Sequence, residues 1–442
     1  MTDCAIIGGG VAGLTAAVQL ARARKSVSLF ESSPKLGGRA FGFEDAKSGI
    51  RLDNGQHILM GCYTSLLSLL NIIGSADRLT PVRNMRLPFR APGGEEHLMQ
   101  ALPLPYPLGQ LSAFLRFSPL SLRERIRALR VPLTVLFGRT DSGTHLDSIP
   151  ASEWLAQLGQ TSRITEFLWK PLILATMNAV PEQTSAGALS VVLREAFLAG
   201  AKASEFLVPD TDLSSVIADP AERYLRESGA ELHIHNRVKA VSQTPGGWQL
   251  QCADGSLHQA KTVVSAMPAG QLTELLSASN FGNAVTIDVE RFQPSPIASY
   301  YTWTTKPACD DIMVGCFRTT LQWVFPKGEL QDGTWLASWV ISAADELAEH
   351  TSEDVDSLLR SEVVSLFPHL DAADIVRTKL ITERSATFVP APGLSAFRPV
   401  TETALPGFFL AGDWTATGYP ATLEGAAKSG YRAAESVMKC LG

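Results

Sequence analysis

The chain has 442 residues, 45% of them hydrophobic, which is material for two or three packed units. A formal net charge of -6 argues against nucleic acid as the main partner, because a phosphate backbone calls for a basic face. Six cysteines (Cys4, Cys62, Cys252, Cys309, Cys316, Cys440) stand far apart without CxxC spacing, so neither a zinc site nor a disulfide framework is suggested, and no histidine spacing suggests a metal. In chain order, Cys4-Ala5-Ile6-Ile7 reads as a short buried strand, residues 14–24 as a helix rich in alanine and leucine, and Val27-Ser28-Leu29-Phe30 as a second strand ending on Glu31. Gly8-Gly9-Gly10-Val11-Ala12-Gly13 joins the first strand to the helix. In this βαβ order Gly8, Gly10 and Gly13 permit a tight turn, close approach of backbone to a pyrophosphate, and close helix–strand packing, while the helix start at Val11 and Ala12 offers free N–H groups to phosphate. Glu31 stands where a carboxylate accepts both hydroxyls of an adenosine ribose and repels a 2′-phosphate, which disfavours NADP.

Next comes Pro34-Lys35-Leu36-Gly37-Gly38-Arg39. A glycine pair lets the backbone run beside the pyrophosphate, and the Arg39 guanidinium can neutralise it. This pattern resembles the flavin-containing amine oxidase and phytoene desaturase superfamily, in which glutamate, five residues and then Gly-Gly-Arg follow the first βαβ unit of an FAD site. The resemblance implies an α/β fold, a Rossmann-like FAD-binding domain with a discontinuous α+β substrate domain. The expected segments are 1–75, 206–285 and 386–442 for the FAD domain, with 76–205, mainly helical, and 286–385, with a sheet, for the substrate domain.

Further along, residues 221–228 read as a helix leading into Glu231-Leu232-His233-Ile234-His235, where His233 and His235 share one strand face. Val238 to Val241 and Trp248 to Cys252 flank the turn Pro245-Gly246-Gly247 as a hairpin, and Asp254-Gly255 signals another. The resemblance gives Val238 backbone contacts to adenine; as a residue it also reads as a plain core valine. Ser299 to Trp303 and Thr334 to Val340 read as aromatic strands, and residues 352–366 as a helix. Gly407 to Leu410 reads as a buried strand ending on Ala411-Gly412-Asp413, and residues 422–430 as a helix of small residues. The resemblance sets Gly412 and Asp413 on FAD, with the helix N-terminus at the flavin edge that gains negative charge on reduction.

Two longer stretches, Asp53-Asn54-Gly55-Gln56-His57-Ile58-Leu59-Met60-Gly61-Cys62-Tyr63 and Ala411 to Ala426, resemble the squalene-associated flavoproteins of bacterial hopanoid biosynthesis, the hydroxysqualene dehydroxylase family. That resemblance adds Asn54, Gly55, Gln56, Ala421 and Thr422 to the FAD pocket. It implies reductive removal of an allylic hydroxyl from a C30 isoprenoid, with a proton donor for the departing oxygen and hydride from reduced flavin. His57, Tyr419 and Glu424 are the candidate acids, histidine because it titrates near neutrality; Glu424 equally reads as a cap of its own helix. Residues 102–108 and 171–178 are apolar runs suited to a substrate channel or to a core. No aromatic cage or active-site lysine stands out, which argues against amine oxidation. The chain enters its first strand without room for a signal peptide and holds no apolar run of about 18 residues, so a cytoplasmic setting is expected. Ser121 to Phe137, basic and then apolar, suits either peripheral contact at the inner face of the cytoplasmic membrane or a solvated helix leading into a core. Oligomeric state stays open. Two rival functions remain: a phytoene-type desaturase, with hydride flow reversed, and a prenyl-lipid carrier without redox chemistry.

Overall fold

The computed structural model describes residues 1–138, 142–282 and 284–442. Its first layer grows from the βαβ unit: Thr2–Ile7 and Val27–Glu31 lie parallel, Ile6 beside Leu29, with helix Val11–Arg22 between them in sequence. Glu231–Ile234 adds to the outside of Val27–Glu31, and Leu257–Ser265 to the other side of Thr2–Ile7. Leu257–Ser265 then divides. Its first half pairs antiparallel with Gly247–Cys252, which hairpins onto Val238–Thr244, while Val263 to Ser265 pairs parallel with Phe408–Leu410. Three distant parts of the chain therefore complete one sheet. His235 has φ +59 and lies beyond the end of Glu231–Ile234, so it does not share a strand face with His233, which stacks on Phe30 at 4.5 Å.

Helix Leu423–Leu441 packs against Val11–Arg22, and the contact needs small residues. A Cβ on Gly430 would stand 2.3 Å from the Ala12 carbonyl oxygen. Ala12, Ala16, Ala427, Ala433 and Ala434 all sit in the core that joins these helices to the sheet. Close approach of two backbones is what brings the C-terminal helix to the dinucleotide loop.

The second layer is a seven-stranded sheet in the order Ile375–Phe388, Pro294–Thr304, Trp335–Ser342, Trp323–Glu329, Val314–Cys316, Leu87–Ala91, Glu95–Met99. Alternation along its strands sorts the two faces. Tyr300 and Trp339, directly paired, pack with helix Ser352–Leu366, whereas Phe89, Phe325 and Val340 face a helical layer that includes Ala113, Val131, Trp154 and Leu189. The stretch expected to be mainly helical thus also supplies Leu87–Ala91 and Glu95–Met99 to the edge of this sheet, and Leu79–Val82 pairs with Phe206–Pro209. Leu87–Ala91 and Glu95–Met99 pair with each other as a local hairpin across Gly93 and Gly94, whereas the partner of Leu79–Val82 lies over a hundred residues away, which leaves so short a strand little signal.

Candidate active site

A cavity of about 900 Å³ is lined from both sheets and from the helical layer. At one end stand the glycine loops. Gly8, at φ +107, donates its N–H to the Phe30 carbonyl at 2.8 Å, and a Cβ on Gly13 would come 1.9 Å from the Gly8 carbonyl oxygen. A Cβ on Gly10, by contrast, would meet nothing closer than the Gly38 Cα at 3.8 Å, so the space beside Gly10 is free for a ligand. Gly37 and Gly38, at φ +108 and +62, bring the second loop alongside Gly10. Glu31 accepts the Gly9 N–H on Oε2 at 2.7 Å, which leaves that oxygen a lone pair for a hydroxyl, while Oε1 accepts the Ser33 N–H at 2.7 Å and the Ser32 hydroxyl at 3.3 Å.

The end of the chain meets this loop directly. Arg39 Nη2 binds Asp413 Oδ1 at 2.7 Å across 374 residues of sequence, and Arg39 Nη1 donates to the Ala386 carbonyl. Attraction to Asp413 raises the guanidinium pKa further. Gly412 takes φ +140, which favours glycine, a Cβ there would also press on the Trp414 ring at 2.5 Å, and its N–H donates to Ser429 Oγ on the C-terminal helix. Thr422 caps that helix by accepting the Gly425 N–H, and Ala421, Thr422, Leu423 and Ala426 line the cavity at its start. The first-turn N–H groups of helices Val11–Arg22 and Leu423–Leu441 have few partners within their own helices, which gives the cavity two electropositive ends.

Of the residues expected at the cofactor, Gly8, Gly10, Val11, Ala12, Glu31, Gly37, Gly38, Arg39, Gly55, Gln56, Val238, Gly412, Asp413, Ala421 and Thr422 line this one cavity. Gly13 and Asn54 do not. Gly13 packs the helix onto Gly8, and Asn54 points its amide at Glu383 Oε2, 2.9 Å away, so both act from behind the wall. Two buried polar atoms at the wall lack protein partners among the described residues, Gln56 Oε1 and Asn236 Oδ1. Orphaned polar atoms of that kind are costly unless a ligand meets them. Together with the open face of Gly10 they fit a dinucleotide such as FAD.

The far end is apolar. Leu174 to Asn178, Ile297, Trp323, Phe325 and Val340 line it. Asn178, in the left-handed region at φ +50, clamps the rim by donating to the Ser295 carbonyl and Thr387 Oγ1 and accepting the Ala343 N–H. The other apolar run, residues 102–108, lies on the surface and lines nothing here. Its prolines leave it no regular element with which to pack.

The three candidate acids separate sharply. His57 lines the cavity, with Nδ1 2.6 Å from the Gly55 carbonyl oxygen, and burial pushes its pKa down. The ring is therefore neutral at pH 7, Nδ1–H donating and Nε2 left as an acceptor, and it must first take up a proton to act as an acid. Tyr419 does not line the cavity; its hydroxyl donates to Glu195 Oε2 at 3.2 Å, and burial raises its pKa. Glu424 is buried and also outside the wall. Its carboxylate accepts the N–H groups of Ser65 and Leu66 at 3.0 and 2.9 Å, so it caps helix Thr64–Ile73 rather than its own helix or a substrate. Neither residue stands where a substrate in this cavity would meet it.

Several contributors escaped the sequence reading. Arg398 holds the turn after Asp413 by donating to the carbonyls of Asp413, Trp414 and Tyr419, and burial lowers its pKa to about 10. Nothing local marks that arginine. Tyr63 lines the cavity, and burial raises its pKa, so the hydroxyl keeps its proton. Trp323 and Phe325 also line it, and their period-two spacing on one strand was a readable signal.

The model of the family described as flavin containing amine oxidoreductase matches residues 11–438. A hydroxysqualene dehydroxylase of Sinorhizobium fredii is 28% identical over 440 residues, covering 98% of this chain and 97% of its own. A probable zeta-carotene desaturase of Synechococcus elongatus is 25% identical over 480 aligned positions, covering 98% of each chain. The solved cyclohexylamine oxidase of Brevibacterium oxydans shares the fold, with a TM-score of 0.71 at 18% identity over 100% of this chain and 99% of that one.

Proposed function

The chain belongs to the flavin containing amine oxidoreductase family, and from that premise we propose that it reductively removes the allylic hydroxyl of hydroxysqualene to give squalene. It is an oxidoreductase with a flavin cofactor, and the reading as a redox-silent lipid carrier falls away. The observation that carries the substrate class is the joining, in one cavity, of the dinucleotide loops to a wing walled by Leu174, Met177, Ile297, Phe325 and Val340. A hydrocarbon is stabilised there by leaving water, at roughly 25 cal/mol per Å² of apolar surface buried, whereas a small amine would gain little. The likeness to a hydroxysqualene dehydroxylase over almost the full length supports the same choice.

Reduced FAD, when bound, supplies the hydride. The chain's own residues then have three tasks. Gly10, Gly37, Gly38 and the two helix N-termini would hold the phosphates and Glu31 the ribose, and Arg39 with Asp413 ties the two loops together. The apolar wing excludes water, so that positive charge developing at the allylic carbon is not captured by solvent. His57, once protonated, delivers a proton to the departing oxygen as the carbon–oxygen bond breaks and water leaves, and the hydride that the carbon needs would come from the reduced flavin bound beside it. Burial, which makes its imidazolium scarce, also makes it a stronger acid.

The zeta-carotene desaturase likeness favours one alternative, hydride flow from a polyene to oxidised flavin. Anaerobic mixing decides between them. Reduced enzyme given hydroxysqualene should form squalene in step with flavin reoxidation, and His57→Ala should slow that step with FAD still bound. Bleaching of oxidised flavin by phytoene, with hydroxysqualene untouched by reduced enzyme, would overturn the dehydroxylase reading.

A further inference from the structure

Ten of the eighteen large apolar side chains left exposed among the described residues fall between Leu98 and Phe137. Helices Leu122–Ala128 and Arg130–Phe137 follow each other with only Leu129, in the right-handed helical region, between them. Along this nearly continuous rod Leu122, Ile126, Leu133, Leu136 and Phe137 are all about half exposed or more, Phe137 at 80%. Steps of four and seven put Leu122, Ile126, Leu133 and Phe137 on one stripe, while Ala128 and Val131 face inward to the core. The preceding leucine–proline run adds exposed Leu104 and Leu108, and its Tyr106 is tied down by donating to the Leu198 carbonyl. The rod is thus apolar on two faces, and only one is covered.

Its charge is equally one-sided. Residues 102–138 hold five arginines and a single acid, Glu124, so this stretch carries +4 in a chain of net charge -6. Glu124 is occupied by the capping box with Ser121. Arg116, Arg123, Arg127 and Arg130 are exposed, and none has an ion pair among the described residues. Arginines beside an exposed apolar stripe match a surface that offers hydrocarbon below and negative charge above: the stems lie along the apolar surface while the guanidinium groups reach phosphate. A protein partner would have to set acids against each arginine around an apolar centre, whereas an anionic bilayer offers its phosphates at any register.

We propose that the stripe from Leu122 to Phe137, with Leu104 and Leu108, docks this protein on the surface of a bilayer containing anionic lipid. The same core that backs the stripe, through Ala128 and Val131, also holds Met177, Phe325 and Val340 of the apolar cavity wing. Docking would therefore press on the layer that forms the substrate wall. The proposal stands apart from the identity of the substrate, because lipid binding is measured without turnover.

The test is co-sedimentation of the flavin-loaded full chain with vesicles of phosphatidylcholine, alone or mixed with phosphatidylglycerol. Binding should appear with the mixed vesicles and weaken as salt is added. Arg123→Gln, Arg127→Gln and Arg130→Gln combined should lower the partition coefficient about a hundredfold. Ile126→Ser, Leu133→Ser and Phe137→Ser combined should abolish sedimentation while keeping flavin content and melting temperature, since those side chains support no core. Wild type that stays in the supernatant with both vesicles, or variants that sediment as well as wild type, would overturn the proposal. So would a serine variant that turns a dimer into a monomer while wild type ignores vesicles, which would make the stripe a contact between two copies of this chain.

Discussion

Gly10 and Gly13 differ by three positions and answer to different partners, so alanine at each separates the protein's own packing from the space a cofactor needs. At Gly13 the added Cβ would stand 1.9 Å from the Gly8 carbonyl oxygen, about 1.5 Å inside ordinary van der Waals contact. Gly8 cannot yield easily, because it takes φ +107 and is bonded to Phe30. The strain falls on backbone, and about 3 kcal/mol of apoprotein stability should be lost. At Gly10 the backbone is extended, φ -75 and ψ 179, and the Cβ finds its nearest neighbour at 3.8 Å. Gly10→Ala should therefore leave the apoprotein as stable as wild type, or about 0.5 kcal/mol more stable through the lost entropy of the unfolded chain. The methyl would, however, occupy the ground where a pyrophosphate approaches, and flavin affinity should fall about a hundredfold, equivalent to about 2.7 kcal/mol. Denaturant titration of apoprotein and fluorescence titration with FAD give the two numbers. A Gly10→Ala protein that binds FAD as tightly as wild type would refute the placement of the cofactor. One as unstable as Gly13→Ala would refute the reading of the free space.

Two further substitutions test assignments made from burial. Glu424→Gln keeps one oxygen for two N–H groups, so it should cost about 2 kcal/mol of stability, the value of a charge-assisted hydrogen bond, and leave single-turnover reoxidation of the flavin within a few-fold; a large loss of rate with unchanged melting temperature would restore it as an acid. Asp53 is buried, and its pKa is raised from 3.8 to about 6 by desolvation. Its ionisation in the folded state is therefore unfavourable: the stability it leaves intact below about pH 4 is lost as pH rises through about 6. Asp53→Asn can still accept the Leu213 N–H, and its advantage over wild type should grow from near zero at pH 4 to about 3 kcal/mol at pH 8. Unfolding curves at both ends of that range that show a constant or shrinking difference would sink the assignment.

The cofactor half of the site was legible because its determinants are local. A strand, three glycines, a helix and an acid at fixed spacing encode a turn whose geometry hardly depends on the rest of the chain, and Gly37-Gly38-Arg39 and Gly412-Asp413 work in the same way. The hairpin around Gly246-Gly247 was legible for the same reason. Glu424 was not, because its partners, the N–H groups of Ser65 and Leu66, lie some 360 residues away and no acid announces which helix it will cap. Arg398 spends its donors on carbonyls brought near only by the fold. The two leucine-rich runs, residues 102–108 and 171–178, look alike as composition. One is exposed and the other lines the cavity, a difference decided by a helix that can pack and a proline run that cannot.

The corrected acid assignment follows from where burial falls. Tyr419 and Glu424 belong to the segment that shapes the cofactor pocket, and both side chains turn away from the cavity to satisfy Glu195 and the helix Thr64–Ile73. Sequence proximity to Asp413 therefore measured proximity to the turn, not to the substrate. His57 approaches from the opposite end of the chain, through Gly55 and Gln56, and reaches the cavity because the Arg39–Asp413 pair draws the first and last motifs to one place. The pocket is complete only when Phe408–Leu410 has added to the first sheet and Leu423–Leu441 has closed on Val11–Arg22. A chain lacking its last fifty or so residues would keep the glycine turn but lose the Asp413 side chain that Arg39 binds and the second helix N-terminus. Half of the electropositive cradle would then be missing, which is why the end motifs must be read together.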